Sequence, residues 1–293
     1  MENLISFLNK NKIEYFEDFD TSSLSSIKMG ATVRLAIFPK LLDELIIILK
    51  FFHNRKYFFR IFGNLSNVLF VSNLNYPIIL TSKMKPDIQI DKNMVTCSSG
   101  VLLSVLCEHL KKHSLSGFEN LSGIPATIGG AIYNNAGAFG KSISDNLVSI
   151  LVFFNGKIMS LSKKDIKFGY HFASLFGFIV LQATFLFEFK NEYDIIKLQN
   201  EFSYKRNKSQ PSGFSLGSVY KKYNGYSAGF YIERSGLKGT RVGSVSVSKK
   251  HANFFINDGS GSVYDFISLS NIVETSVMNN FGITLCTEIE KVG

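Results

Sequence analysis

A chain of 293 residues with 45% hydrophobic and 19% charged residues is too apolar to stay disordered and long enough to split into more than one core. Its formal charge of +9 favours anionic partners, yet Lys and Arg are scattered and form no like-charge block of the kind that marks a nucleic-acid-binding tail. Cys97, Cys107 and Cys286 show no C-x-x-C spacing, which argues against a disulfide framework or a metal site and for a reducing cytosol. The amino terminus lacks the basic and apolar regions of a signal peptide, and no apolar run is long enough to span a bilayer. A cytoplasmic protein with no membrane and no nucleic-acid partner is expected.

In chain order, residues 41–52 (LLDELIIILKFF) predict a helix packed against a sheet. Residues 57–62 predict a strand running into GNLSN (63–67), a turn of Gly, Asn and Ser. Strands follow at 68–71, 76–80 and 88–97, then an amphipathic helix at 101–113. Strands at 148–154 and 157–161 flank Asn155-Gly156, a strong two-residue hairpin signal. An extended run covers 178–189, and a helix at 194–206 opens a region of different character. That region holds a strand at 253–257, a helix at 263–279 and a strand at 284–290. Strand runs mixed with helices, without regular β-α-β periodicity, give an α+β class.

Between the helix at 101–113 and the hairpin lies SGIPATIGGAIYNNAGAFG (122–140), dense in small residues and nearly uncharged. Glycine permits close approach to the main chain, and successive bare N–H groups make a concavity suited to anionic oxygens. Tight turns around a core use the same residues; the length of the stretch and its asparagines favour a bound pyrophosphate. In the second region, Ser218 follows Gly217 and precedes Lys221, so its hydroxyl is a candidate proton donor beside a cation. A serine in a turn more often bonds to backbone, and no G-x-S-x-G surrounds this one. Residues 227–257 are basic and glycine-punctuated, and Glu288 sits in an alternating terminal run where a carboxylate is ordinarily plain surface.

Together these stretches resemble one family over nearly the whole chain, UDP-N-acetylenolpyruvoylglucosamine reductase, a flavoenzyme of peptidoglycan precursor synthesis. GIPATIGGAIYNNAGAFG is similar to that family's flavin loop, and GNLSN to its G-x-G-S-N turn. QPSGFSLGSVYKK, AGFYIERSGLKG, VSVSKKHANFFIN and FGITLCTEIEKVG resemble, in order, its remaining signatures. The short connection after Tyr170 resembles the family's second type, which lacks an extra tyrosine-bearing loop.

The resemblance implies a two-lobed flavin-binding unit of the vanillyl-alcohol-oxidase (PCMH) type at 1–190, with lobes of about 1–85 and 86–190, and a C-terminal α+β substrate-binding domain at 191–293. It implies non-covalent FAD held by Gly63, Asn64, Ser66, Asn67, Gly123, Ile124, Pro125, Thr127, Ile128, Gly129, Gly130, Ala131, Asn135 and Gly137. NADPH is the implied hydride donor, and the hydride reaches the terminal vinyl carbon of UDP-N-acetylglucosamine enolpyruvate to give UDP-N-acetylmuramate. The implied catalytic residues are Ser218 as proton donor, Glu288 as its carboxylic partner, and His171. Tyr170, Lys221 and Arg206 are implied substrate-binding residues. No metal is implied, the partner is a small nucleotide sugar, and a monomer is expected.

The chain departs from the family pattern at named positions. Tyr170-His171 replaces a Tyr-Arg pair, exchanging a permanently charged fork for an imidazole charged only below about pH 6.5, so activity is expected to fall as pH rises through its titration. Leu65 replaces the second glycine of the turn and is expected to narrow the space beside the pyrophosphate. Lys222-Tyr223 replaces Asn-Pro, and Ala31 replaces the second residue of an early Gly-Gly. Alternatives at this stage are another FAD-dependent oxidoreductase of the same flavin fold, a family member with impaired turnover, or a non-enzymatic binder of nucleotides or RNA. A yellow chromophore released by acid separates the first two from a colourless binder and from an oxidase with covalent flavin.

Overall fold

A computed structural model describes residues 2–293. It opens with helix α1 (Glu2–Lys10), which buries Leu4 and Leu8 one turn apart on a single face. Helix α2 (Leu42–Arg55) buries Leu45, Ile48, Leu49 and Phe52, the spacing of one helical stripe, and stops where Lys56 turns left-handed at φ 54°. Helix α3 (Leu103–Lys112) buries Leu103, Leu106, Cys107 and Leu110 on the same rule. The short α4 (Ile128–Tyr133) rises from the middle of the glycine-rich stretch. Helices α5 (Glu192–Ser209), α6 (Ala228–Arg234) and α7 (Val263–Phe281) complete the set among the described residues.

The chain divides into two compact units that interleave in sequence. The first comprises Met1–Asp18, Leu35–Asn64 and Tyr76–Tyr204; the second comprises Phe19–Arg34, Leu65–Asn75 and Lys205–Gly293. The sequence-based division has a domain boundary after residue 190 and a lobe boundary near residue 85; the compact units exchange chain at several points and last do so inside α5.

The first unit contains two cores. One gathers Leu8, Leu35, Ile48, Phe52 and Ile79; the other gathers Val95, Leu106, Phe118, Ile132, Val152 and Phe185. Its larger sheet is antiparallel, in the order Lys157–Ser162, Leu147–Phe154, Ile179–Leu186, Met94–Ser98, Ile88–Asp91. The hairpin at Asn155-Gly156 forms as its sequence predicts, with φ of 47° and 79° at the two loop residues. The single strand expected at 88–97 is instead two strands, because Lys92 adopts φ 56° and reverses the chain. Strands Glu14–Asp20 and Thr32–Phe38 have no counterpart in the sequence reading; the acidic EYFEDFD shows no apolar alternation to betray the first. Burial pushes the Cys97 and Cys107 thiols up to about 12, which keeps them protonated and inert.

The second unit has one core, in which Ile27, Met29 and Leu69 join Tyr220, Phe255, Phe266 and Val273. Buried Asn257 anchors the early segment by donating from Nδ2 to Ile27 O at 2.8 Å. The terminal strand Glu290–Val292 pairs in parallel with Val68–Phe70. Among the described residues no helix is long and apolar enough to cross a membrane.

Candidate active site

In the first unit, Gly63 and Asn64, which open the GNLSN turn, meet the glycine-rich stretch. Asn64 Nδ2 donates to Pro125 O at 3.0 Å. A Cβ on Gly63 would collide with Thr127 Oγ1, so glycine makes room here for the Thr127 side chain. Thr127 caps α4, its side chain accepting from Gly130 N at 3.4 Å.

The amides of α4 are not bare, which corrects the expectation drawn from composition. Ile128 N donates to Val101 O at 2.8 Å, Gly129 N to Ser99 O at 2.8 Å, and Ala131 N to Thr127 O at 2.8 Å. Gly129 is small for another reason: a Cβ there would lie 3.0 Å from Ser99 Cβ. Unspent donors lie instead in the turn. Among the described residues, the main-chain N–H groups of Asn64, Leu65 and Ser66 donate to no group of the chain.

Around α4, the buried hydroxyls of Ser98 and Ser99 and the Oδ1 of Asn135 have no hydrogen-bond partner in the chain. Ile124 and Ala131 are half-buried and buried, and Gly123 and Pro125 are exposed. Within the first unit this side-chain-poor surface thus carries unpartnered polar atoms of the kind that can receive a polar ligand.

Asn135 also donates from Nδ2 to Gly169 O at 2.8 Å, tying the end of this stretch to the hairpin that carries Tyr170 and His171. Those two residues form a two-residue loop between Phe168–Gly169 and Phe172–Ala173, with His171 at φ 47°. Their rings meet edge to face, centroids 4.4 Å apart. Gly137 belongs to a separate tight hairpin, where a Cβ would lie 2.9 Å from Lys141 O.

The second unit joins Ser218, Lys221 and Glu288 by main-chain pairing. Glu288 N donates to Val219 O at 2.8 Å, Lys221 N to Cys286 O at 2.8 Å, and Tyr220 bridges Thr287. Ser218 itself bridges Phe254 on the other side. Glu288 does not lie in a regular strand, contrary to its alternating sequence; it occupies a bend between that bridge and Glu290–Val292. The bend arises because the chain changes partner there. Glu288 O accepts from Asn67 Nδ2 at 3.1 Å, and Glu290 N donates to Asn67 O at 2.9 Å. Asn67 therefore spends a side-chain donor on fixing Glu288, while Ser66 is half-buried beside it in the turn.

Arg206 stands near the end of α5, where burial holds its guanidinium below the ordinary value and Nη1 donates to Gln210 Oε1 at 3.4 Å. The sequence reading missed Asn253 and His251. Asn253 is 3% exposed, and His251 Nδ1 accepts from Asn253 N at 3.2 Å. Burial lowers the His251 pKa, which favours the neutral ring. An asparagine directly before the apolar FFI was the available signal.

Comparison with known proteins places the chain. A family model for the FAD binding domain matches residues 33–162, and one for UDP-N-acetylenolpyruvoylglucosamine reductase, C-terminal domain, matches residues 210–292. The UDP-N-acetylenolpyruvoylglucosamine reductase of Caldicellulosiruptor saccharolyticus is 36% identical, over 98% of this chain and 94% of its own. That of Clostridium tetani is 35% identical, over 100% of this chain and 96% of its own. The crystal structure of the reductase from Thermus caldophilus superposes with a TM-score of 0.81 at 26% identity, covering 96% of this chain and 99% of that one.

Proposed function

The chain belongs to the UDP-N-acetylenolpyruvoylglucosamine reductase family, and from that premise we propose which of its residues carry the reaction and with which reductant. It is an FAD-dependent oxidoreductase that reduces UDP-N-acetylglucosamine enolpyruvate to UDP-N-acetylmuramate in peptidoglycan precursor synthesis. Bound FAD supplies hydride transfer from a reduced nicotinamide to the vinyl carbon of the substrate. NADPH is the nicotinamide proposed, the enzyme is proposed to work in the cytoplasm as a monomer, and the nucleotide sugar is its small-molecule partner.

Gly63, Asn64, Ser66 and the 123–137 stretch hold the pyrophosphate, with the turn amides as donors. Hydride arrival at the vinyl carbon puts charge on the neighbouring carbon and its carboxylate. Two tasks then fall to the protein, holding that enolate and delivering a proton to carbon. The Ser218 hydroxyl delivers the proton. Glu288, set one residue away across the main-chain pairing, orients the hydroxyl and the substrate carboxyl end. Serine is a weak acid, so the Lys221 and Arg206 cations lower the cost of its transient alkoxide. Tyr170 and His171 take the substrate side of the flavin unit, His171 in the position of the family's arginine.

The observation that supports these roles best is the bond from Glu288 N to Val219 O, which joins the main chain of Glu288 to the residue that follows Ser218. Stopped-flow kinetics of a Ser218→Ala variant test it. Reduction of the flavin by NADPH should proceed at the unmodified rate, and its reoxidation by the enolpyruvyl nucleotide should slow by about 10²-fold or more, the scale of a lost acid catalyst. Equal reoxidation rates would remove Ser218 from the mechanism.

A further inference from the structure

Asn253 occupies a place in the second unit that the chemistry assigned above leaves unused. Its carboxamide pairs with both main-chain groups of one residue: Tyr220 N donates to Oδ1 at 3.0 Å, and Nδ2 donates to Tyr220 O at 2.8 Å. Its own main-chain carbonyl accepts from Val219 N at 2.9 Å. The side chain thereby extends, by one rung, the ladder that begins where Ser218 bridges Phe254. A carboxamide has the same donor and acceptor as a peptide group, and here it is used as one.

The residue so clamped is the pivot of the site. Tyr220 lies between Ser218 and Lys221 and opposite Thr287, next to Glu288. Its ring is anchored as well, the phenol donating to Glu274 Oε1 at 3.1 Å on α7, where burial raises its pKa. The ring is held by α7, the bonds from Glu288 N to Val219 O and from Lys221 N to Cys286 O hold the flanking residues, and the Asn253 amide holds the main chain of Tyr220 between them.

We propose that Asn253 is a positioning residue for proton delivery: its two-point clamp on the Tyr220 N–H and carbonyl sets the register and tilt of the Ser218 hydroxyl against Glu288. The inference rests on the reading of Ser218 as proton donor. It differs from a packing role in what it demands, since packing needs only volume, whereas the clamp needs one donor and one acceptor at the same time.

The Asn253→Asp variant separates the two. A protonated carboxyl keeps both bonds, donating to Tyr220 O and accepting from Tyr220 N. An ionised one keeps only the acceptor and sets an oxygen against the Tyr220 carbonyl oxygen. With the FAD-loaded variant, flavin reduction by NADPH should stay within about twofold of the unmodified enzyme at every pH. Reoxidation by the enolpyruvyl nucleotide should fall about 10²-fold at pH 8 and recover as pH is lowered toward 5.5, on the scale of a misplaced acid. His251, whose ring contacts the Asn253 N–H, and Lys221 and Glu288 are present in both proteins, so the ratio of the two pH profiles isolates the substituted carboxyl. Nucleotide-sugar affinity, measured by flavin absorbance titration, should change little.

Asn253→Ser keeps the main-chain rung and loses both side-chain bonds, so it should show the same selective loss with no recovery at low pH. Reoxidation by Asn253→Asp at the unmodified rate at pH 8, or a loss shared equally by both half-reactions at all pH values in both variants, would overturn the proposal. If Ser218→Ala reoxidises normally, it is the proton-donor reading that fails; if that variant is slow and Asn253→Asp is not, only the positioning role fails.

Discussion

At the scale of a residue, the departure at Leu65 shows how a substitution against a family pattern is accommodated. Its φ of 50° is left-handed, a conformation that costs an L-residue about 1–2 kcal/mol and glycine little. Its side chain is 2% exposed, and burial of a leucine contributes about 1.5–3 kcal/mol. The leucine thus offsets backbone strain by packing away from solvent. Both Leu65→Gly and Leu65→Ala should lower the urea midpoint, with alanine worse than glycine by about 1 kcal/mol because it keeps the strain and loses most of the packing. Equal loss, or the usual order with glycine worse, would contradict this account. The departure was legible in the sequence as a missing glycine; the direction of the side chain was not, since it depends on a φ angle that no local pattern encodes. Thr127, Asn64 and Ser218 were legible as candidates because their motifs are local, whereas Asn253 pairs with a residue far away in sequence and left only the trace of a polar residue in an apolar run.

At the scale of an element, α7 illustrates how ends are specified. Ser262 and Asp265 close a capping box, Ser262 N donating to Asp265 Oδ2 at 2.9 Å and Asp265 N to Ser262 Oγ at 3.1 Å. The bond from Ser262 N is the main reason the Asp265 carboxyl lies below the ordinary carboxylate value. A carboxyl whose pKa is lower folded than unfolded stabilises the fold above its unfolded value, and that contribution is lost as pH falls through the folded one. Melting temperature followed from pH 6 downward should therefore drop less steeply in Asp265→Asn, which begins less stable at pH 6. Parallel curves would show that the cap contributes nothing to acid sensitivity. Helices α2, α3 and α7 and the Asn155-Gly156 hairpin were legible because their signals are local: one apolar stripe, or one turn type with φ above zero. The terminal run was misread as a strand because alternation says nothing of partners, and Glu288 lies where the chain leaves Tyr220 for Val68–Phe70.

At the scale of the whole molecule, the interleaving of the two units is the feature composition could not announce. Residues 19–34 and 65–75 complete the second unit through Ile27, Met29 and Leu69 in its core and through the Asn257 bond to Ile27 O. A fragment of residues 191–293 should accordingly fail to fold alone, giving poorly dispersed amide resonances and binding a hydrophobic dye, whereas cooperative thermal unfolding of that fragment would contradict the assignment. The α+β class and the flavoenzyme family were legible because six motifs stand in order along the chain; the crossing points between units were not, because each rests on a few long-range contacts. The central claim is that this molecule passes a hydride through FAD to an enolpyruvyl nucleotide. Anaerobic absorbance of the purified protein tests it most directly: a flavin band that NADPH bleaches and UDP-N-acetylglucosamine enolpyruvate restores is the predicted result, and a band that stays bleached after that addition, or its absence from protein reconstituted with FAD, would contradict it.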